Sequence, residues 1–210
     1  MASLINEAFE KARSANRPAL LTYTVAGDNT KKKSLEILKS ISIHADICEL
    51  GFPHNTPIAD GGQIQTSAYR AIKNGIKIND VFEIAKEFKL SKKTTPIILM
   101  GYYNMIYQYN ENKFLKKCKS SKIDGLIVVD LPYPENKSFS DKCKKTFYPS
   151  TFRSCKSLDP GFDVFNKIKI PLLVLLANSI KGNKVSTPIH GFIVMAFALK
   201  KDCSPNHAVA

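Results

Sequence analysis

Residues 45–53 of the chain read ADICELGFP, and three residues later, at 57–62, the chain reads PIADGG. Residues 47–50 predict a short buried strand that Gly51 ends at once. Glu49 has no partner within this apolar strand, so we expect it to face a cleft or a partner. Asp60 stands before two glycines, where a backbone can approach a ligand closely. Two carboxylates joined by one loop are typical of a site for acid–base chemistry.

Both carboxylates also have a purely structural interpretation. Glu49 could end its strand in a salt bridge, and Asp60 could cap the helix predicted for residues 63–73, since aspartate is a favoured cap. The residues alone leave these alternatives open.

The rest of the first 145 residues alternates between strands and helices. Apolar runs predict strands at 19–25, 47–50, 96–100 and 125–129. Apolar residues at helical spacing predict helices at 4–12, 33–40, 63–74, 79–88, 111–120 and 135–145. Short, continuously apolar strands that alternate with helices favour a parallel sheet with crossover helices, which is an α/β fold.

The pattern E-L-G-x-P…P-x-A-D-G, with Ile64-Gln65 and Arg70-Ala71 after it, resembles the alpha subunit of tryptophan synthase. The resemblance implies a TIM (β/α)8 barrel that splits indole-3-glycerol phosphate into indole and glyceraldehyde 3-phosphate. It implies that Glu49 is the general acid and base, and that Asp60 accepts a hydrogen bond from the indole N–H.

Two further stretches carry the resemblance. Tyr102-Tyr103-Asn104 is similar to the family's M-x-Y-x-N segment, in which the tyrosine lines the indole pocket. Asp130 follows a strand, as in the family, where this residue supports the site. The alternatives are that Tyr102 only packs at the base of a loop and that Asp130 caps the helix at 135–145. The resemblance also implies contacts to the indole ring from Tyr23, Ile127 and Val129.

The resemblance has implications for cofactors and partners as well. It implies no metal and no organic cofactor in this subunit, because pyridoxal phosphate belongs to the beta subunit. It implies an alpha2-beta2 tetramer in which residues 55–60 contribute to the surface that binds the beta subunit. We expect a cytoplasmic protein, since the N-terminus lacks a signal peptide and no apolar run is long enough to cross a membrane.

Composition excludes several other classes of protein. The formal net charge is +13, but the lysines are scattered and arginines are few, so we expect solvated surface rather than a nucleic-acid-binding face. The five cysteines contain no C-x-x-C pair and suggest reduced thiols without a zinc site. Cys48 is predicted to be a small core residue.

After Thr146 the alternation ends. Strand-like runs return only at 172–176 and 192–194, which makes six candidates where a closed barrel needs eight, and the chain is shorter than the roughly 250 residues typical of a TIM barrel. Residues 1–210 are therefore predicted to form one alpha-subunit-like barrel domain that is incomplete in its C-terminal third, with residues 146–210 matching the family poorly.

The family's phosphate-binding turns are altered in this last third. Residues 178–180 read Asn-Ser-Ile where the family has a glycine-rich turn, and Met195-Ala196 stands in a stretch, 190–196, that resembles the eighth strand. Backbone N–H groups of glycine turns hold the phosphate in such barrels, so we expect impaired activity. The alternative function is a degenerate, non-catalytic homologue that retains only partner binding.

Overall fold

The computed structural model describes residues 4–132, 135–147 and 193–197. In chain order its elements are α1 (Leu4–Ser14), β1 (Ala19–Val25), α2 (Lys31–Ile41), β2 (Ile47–Gly51), α3 (Gly62–Lys73), α4 (Ile78–Ser91), β3 (Ile97–Gly101), α5 (Tyr103–Tyr109), α6 (Glu111–Ser120), β4 (Gly125–Val128), α7 (Lys137–Phe147) and β5 (Ile193–Phe197). No helix in these three ranges combines the length and apolarity needed to cross a bilayer.

The strands form one sheet in the order β4-β3-β2-β1-β5. The first four pair in parallel, so their carboxyl ends lie at the same edge. Glu49 at the centre lies opposite Tyr23 on one side and Ile98 on the other. The predicted α/β fold with a parallel sheet and crossover helices is confirmed. That residues 1–210 form a single domain stays a prediction.

β5 pairs with β1 in the antiparallel direction, with Ala19 opposite Phe197 and Tyr23 opposite Ile193. The predicted strand at 192–194 is therefore present, but the eighth strand of a barrel would run parallel to the first, so its assignment as that strand is wrong in direction. The free edge of β1 offers N–H and C=O groups that can pair with a strand running in either direction. The predicted strand at 172–176 and the turn at 178–180 lie outside the described residues.

One face of the sheet packs against helices. Leu50 and Leu99 point to this face and are at most 1% exposed, and they belong to one apolar cluster with Leu38 of α2, Phe88 of α4 and Phe114 of α6. Cys48 lies in the same cluster, as predicted for a core residue, and burial raises the pKa of its thiol to about 11. Burial of each large side chain of this kind contributes about 1.5–3 kcal/mol to folding.

The opposite face divides into two ends. At the amino end of the strands, Ala19, Leu21, Ile47 and Ile98 pack against α1, and we call this the closed end. At the carboxyl end the same face carries Tyr23, Glu49 and Met100, and we call this the open end. Side chains alternate between faces along a strand, so β2 places Ile47 and Glu49 on one face, one at each end.

Candidate active site

A cleft opens at the carboxyl edge of the sheet, above the open end. The ends of β1 and β3, the loop at 52–60 and the first half of α3 provide its walls. Tyr23, His54, Asp60 and Tyr102 are its polar or titratable members, and apolar side chains such as Met100 supply much of the remaining surface. Ligand sites in parallel α/β sheets lie at this edge.

Glu49 is almost completely buried beside the cleft. The residue is 1% exposed, and its Oε2 atom has no hydrogen-bond partner among the residues that the structure describes. The described residues offer it no ion pair, so the interpretation of Glu49 as a strand-end salt bridge is wrong. Burial raises the pKa of the carboxyl group to about 7. Glu49 is not itself a lining residue, whereas its cross-strand neighbour Tyr23 is.

Asp60 lines the cleft and is held there by Tyr102. The Tyr102 hydroxyl donates to Asp60 Oδ2 at 3.1 Å and accepts from the Ala59 N–H at 3.0 Å. The N-cap of α3 is Gly61, which has no side-chain cap, so the interpretation of Asp60 as a helix cap is wrong. Burial raises the pKa of Asp60, and the hydrogen bond from Tyr102 partly opposes this shift.

Two glycines at strand ends make room for aromatic rings. A Cβ atom at Gly51 would collide with the ring and hydroxyl of Tyr23, and one at Gly101 would collide with the ring of Phe52. Because both glycines lack a side chain, Tyr23 and Phe52 can lie directly over the strand ends and form part of the cleft.

His54 also lines the cleft, and the sequence did not single it out. Its ring stacks on Tyr102 with centroids 5.0 Å apart and planes 30° apart. The contact joins two loops 48 positions apart in the chain, and no local pattern could have revealed it. The only available signal was its place in the loop that follows Glu49.

The remaining predicted residues lie in three different settings. Val129 lines the cleft. Ile127 packs instead with the apolar cluster of the closed end, and it is not among the lining residues. Asp130 Oδ1 accepts from the Tyr103 N–H at 2.7 Å, at the start of α5, directly after Tyr102. This oxygen caps α5, and not the helix at 135–145 that the alternative interpretation gave it.

A charged cluster fixes the helix that follows Asp60. Arg70 of α3 donates to both carboxylate oxygens of Asp28 at 2.7 Å, and the Ser67 hydroxyl donates to one of them at 2.6 Å. Burial alone would raise the pKa of Asp28, but these hydrogen bonds outweigh it and hold the pKa below its usual value. The cluster joins α3 to the loop after β1, so it fixes one wall of the cleft.

The site contains two carboxyl groups. One, Glu49, is buried and can exchange a proton near neutral pH, and the other, Asp60, lies 11 positions later and is oriented by a hydrogen bond. Such a pair suits general acid–base catalysis on a largely apolar ligand. In the described parts of the chain, no three His, Cys, Asp or Glu side chains come together as a metal site would require.

Comparisons with known proteins agree with this geometry. The sequence model of the family "Tryptophan synthase alpha chain" matches residues 9–147. The chain is 75% identical over 143 residues to the tryptophan synthase alpha chain of Pelagibacter ubique (strain HTCC1062), covering 68% of this chain and 54% of that relative. The chain therefore spans about half the length of the curated relatives that it matches.

Solved structures give the same result. The tryptophan synthase subunit alpha of Legionella pneumophila superposes with a TM-score of 0.65 at 34% identity, over 70% of this chain and 56% of that one. A chain of the tryptophan synthase complex from Pyrococcus furiosus superposes with a TM-score of 0.58 at 44% identity, over 60% of this chain and 51% of that one. The residues matched by the family model, 9–147, include all those that line the cleft.

Proposed function

This chain belongs to the tryptophan synthase alpha chain family, and from that premise we propose that it cleaves indole-3-glycerol phosphate into indole and glyceraldehyde 3-phosphate in tryptophan biosynthesis. The observation that carries the proposal is the buried carboxyl group of Glu49, which has no ion-pair partner in the described part of the chain, beside a cleft that contains Asp60. A carboxyl group with a pKa of about 7 is equally ready to donate and to accept a proton at neutral pH.

The reaction is a retro-aldol cleavage, in which Glu49 gives one proton to the substrate and takes a second proton from it. As an acid it protonates the ring carbon C3 that bears the side chain. As a base it then removes the proton of the hydroxyl on the adjacent side-chain carbon. The bond between these carbons breaks, its electrons return to the ring, and the hydroxyl carbon becomes the aldehyde of glyceraldehyde 3-phosphate. Glu49 ends the cycle protonated, as it began.

Asp60 takes the second role in this proposal. Protonation at C3 places positive charge on the indole ring, and a carboxylate that accepts a hydrogen bond from the ring N–H stabilises that charge. Asp60 Oδ2 is engaged by Tyr102, which leaves Oδ1 for the ligand. Tyr23, Tyr102 and Val129 would contact the ring at the cleft, Ile127 would support it from the closed end, and Asp130 would hold the start of α5.

The proposal includes the setting of the enzyme. We infer that this subunit uses no metal or organic cofactor and that it works in the cytoplasm with a tryptophan synthase beta subunit, which carries the pyridoxal phosphate, in an alpha2-beta2 tetramer. The loop at 55–60 is the proposed contact surface, and its exposed Ile58 (83%) supports that role because exposed apolar side chains are common at interfaces.

The test is a steady-state assay of indole release from indole-3-glycerol phosphate by the purified chain, with and without a tryptophan synthase beta subunit. We expect weak turnover, because residues 178–180 lack the glycines of the family's phosphate-binding turn and residues 195–196 lie within strand β5 rather than in a turn. Glu49→Gln should reduce that turnover by about 10³-fold or more, because the amide keeps the shape and cannot transfer the proton.

Two outcomes would contradict the proposal. Turnover that survives Glu49→Gln would assign the chemistry to another residue. No turnover by the parent chain, with the beta subunit still bound, would favour the non-catalytic homologue. A variant of exposed Glu87, Glu87→Gln, is the matched control and should leave turnover unchanged.

A further inference from the structure

Two tyrosines line the cleft, and their hydroxyl groups are used differently. The hydroxyl of Tyr102 makes two hydrogen bonds, since it donates to Asp60 and accepts from the Ala59 N–H. The hydroxyl of Tyr23 makes no hydrogen bond within the described part of the chain, although Tyr23 is only 5% exposed. A buried phenol usually finds a partner, so with respect to the described residues the Tyr23 hydroxyl is available to a group bound in the cleft.

The position of Tyr23 shows what that partner must be. Its hydroxyl lies over Gly51, at the edge of the sheet, in the space that a side chain at position 51 would fill. Tyr23 lines the cleft and lies directly opposite Glu49 across the β1–β2 pair. Within the described residues, each member of this cross-strand pair therefore carries a polar atom without a hydrogen bond, the phenolic hydroxyl of Tyr23 and Oε2 of Glu49.

We propose that the Tyr23 hydroxyl donates a hydrogen bond to a ligand oxygen held next to Glu49, namely the hydroxyl on the side-chain carbon attached to the indole ring. This inference rests on the proposed function and goes beyond the ring contact assigned to Tyr23 above. As Glu49 removes the proton from that hydroxyl, negative charge develops on its oxygen, and a fixed donor stabilises it. Tyr23 would thus select for a hydroxylated side chain, whereas a ring contact alone would not.

The chain contains no tryptophan, so the fluorescence of an indole ligand can be followed selectively when it is excited at wavelengths longer than those that tyrosine absorbs. The probes are indole, which has no side chain, and indole-3-glycerol phosphate. All variants carry Glu49→Gln so that the second probe is not consumed. Tyr23→Phe removes only the hydroxyl and keeps the ring, and Tyr69→Phe, at a tyrosine that is 66% exposed on α3, is the matched control.

We expect Tyr23→Phe to weaken the binding of indole-3-glycerol phosphate by about tenfold, which equals about 1.4 kcal/mol and is typical of one hydrogen bond. Its affinity for indole should stay unchanged, as should both affinities of Tyr69→Phe. Thermal unfolding should show no loss of stability in Tyr23→Phe, because the lost hydroxyl has no partner among the described residues.

Equal affinity of Tyr23→Phe and its parent for indole-3-glycerol phosphate would overturn the inference and leave the proposed function standing. A parallel loss for both probes would also overturn it, because only the ring would then matter. If the parent bound neither probe, the proposed function would fail, and this inference with it.

Discussion

Ile47 and Glu49 lie two residues apart on β2, on the same face of the sheet, and both are at most 1% exposed. Ile47 belongs to the closed end, where α1 and neighbouring strands fill the space around it with apolar side chains. Glu49 belongs to the open end, where one oxygen of its carboxyl group has no partner among the described residues and the pKa of the group is raised. Equal burial therefore has opposite consequences, since it stabilises the fold at Ile47 and costs stability at Glu49.

This difference along one strand follows a general feature of parallel α/β folds. Residues at the amino end of the strands serve stability, and residues at the carboxyl end serve function. Here the change from one to the other takes place within two positions of a single strand, which allows it to be tested with single substitutions.

The largest effect on folding is expected at the closed end. Ile47→Ala should lower the free energy of unfolding by about 2–5 kcal/mol, because it leaves a cavity among well-packed neighbours. Denaturant unfolding measures this, with exposed Ile43 (68%) changed to alanine as the control. At a temperature where the variant stays folded, its affinity for indole should match that of the parent. A large loss of affinity would mean that the two ends are not separate.

The next effect is expected at Glu49 and depends on pH. The pKa of Glu49 is about 7 in the folded chain, whereas the ordinary value, which applies to the unfolded chain, is 4.5. At a pH between these two values, the folded state therefore holds a proton that the unfolded state has lost. Stability is therefore highest below the lower value and falls as the pH rises towards about 7, by about 3 kcal/mol in total.

Glu49→Gln cannot lose a proton and should remove this pH dependence. At pH 8 the variant should be more stable than the parent by about 3 kcal/mol, and at pH 4 the two should be similar. Unfolding curves between pH 4 and 8 measure the difference, with Glu87→Gln as the control for an exposed glutamate. Equal stability of parent and Glu49→Gln at pH 8 would show that Glu49 is not buried as described.

A smaller effect is expected for the charged cluster that fixes α3 at the open end. Asp28→Asn should cost about 1–2 kcal/mol, since the Arg70 side chain is 28% exposed and solvent screens part of the interaction. Because the pKa of Asp28 is lowered, its contribution is present above the ordinary value of 3.8 and is lost as the pH falls through the folded value.

Chemical denaturation at pH 7 and pH 2 tests this prediction. Parent and Asp28→Asn should differ at pH 7 and converge at pH 2. The exposed Arg13–Glu10 pair supplies the control, and Glu10→Gln should change stability little at either pH. A difference that persisted at pH 2 would point to packing rather than charge.

The smallest effect is expected at Tyr102. Tyr102→Phe keeps the ring that stacks on His54 and removes the hydroxyl that joins Asp60 to Ala59, at a cost of about 1 kcal/mol. The pKa of Asp60 should rise further in the variant, because the variant lacks the hydrogen bond that opposes the effect of burial in the parent chain. Carboxyl-carbon NMR of Asp60 would measure this, and an unchanged titration would exclude the hydrogen bond.

The sequence predicted the sheet well because its signals were local. β1 has the predicted bounds, 19–25, since an apolar run stands between Pro18 and the turn at Gly27. Helix α5 was not predicted, because its seven residues follow Tyr102 in a segment that looks like a loop. Asp130, 27 positions away, provides the cap for its first N–H, and such a contact leaves no local pattern.

The same distinction applies to the candidate site. Glu49 could be singled out because a carboxylate within an apolar strand is a local anomaly. The stack of His54 on Tyr102 and the position of the Tyr23 hydroxyl over Gly51 depend on which strands are neighbours, so only the fold reveals them. The resemblance assigned Ile127 to the ring, whereas its packing with the closed end depends on the fold and is not contained in a motif.

The rings that lie over Gly51 and Gly101 also restrict how this sequence can diverge. A side chain can arise at position 51 only if Tyr23 becomes smaller, and one at position 101 only if Phe52 does. Either substitution made alone meets a steric conflict or leaves a void, so the effects within each pair should be strongly non-additive. The two glycine–aromatic pairs are in this sense epistatic, and these steric conflicts oppose a change of the cleft's shape by single substitutions.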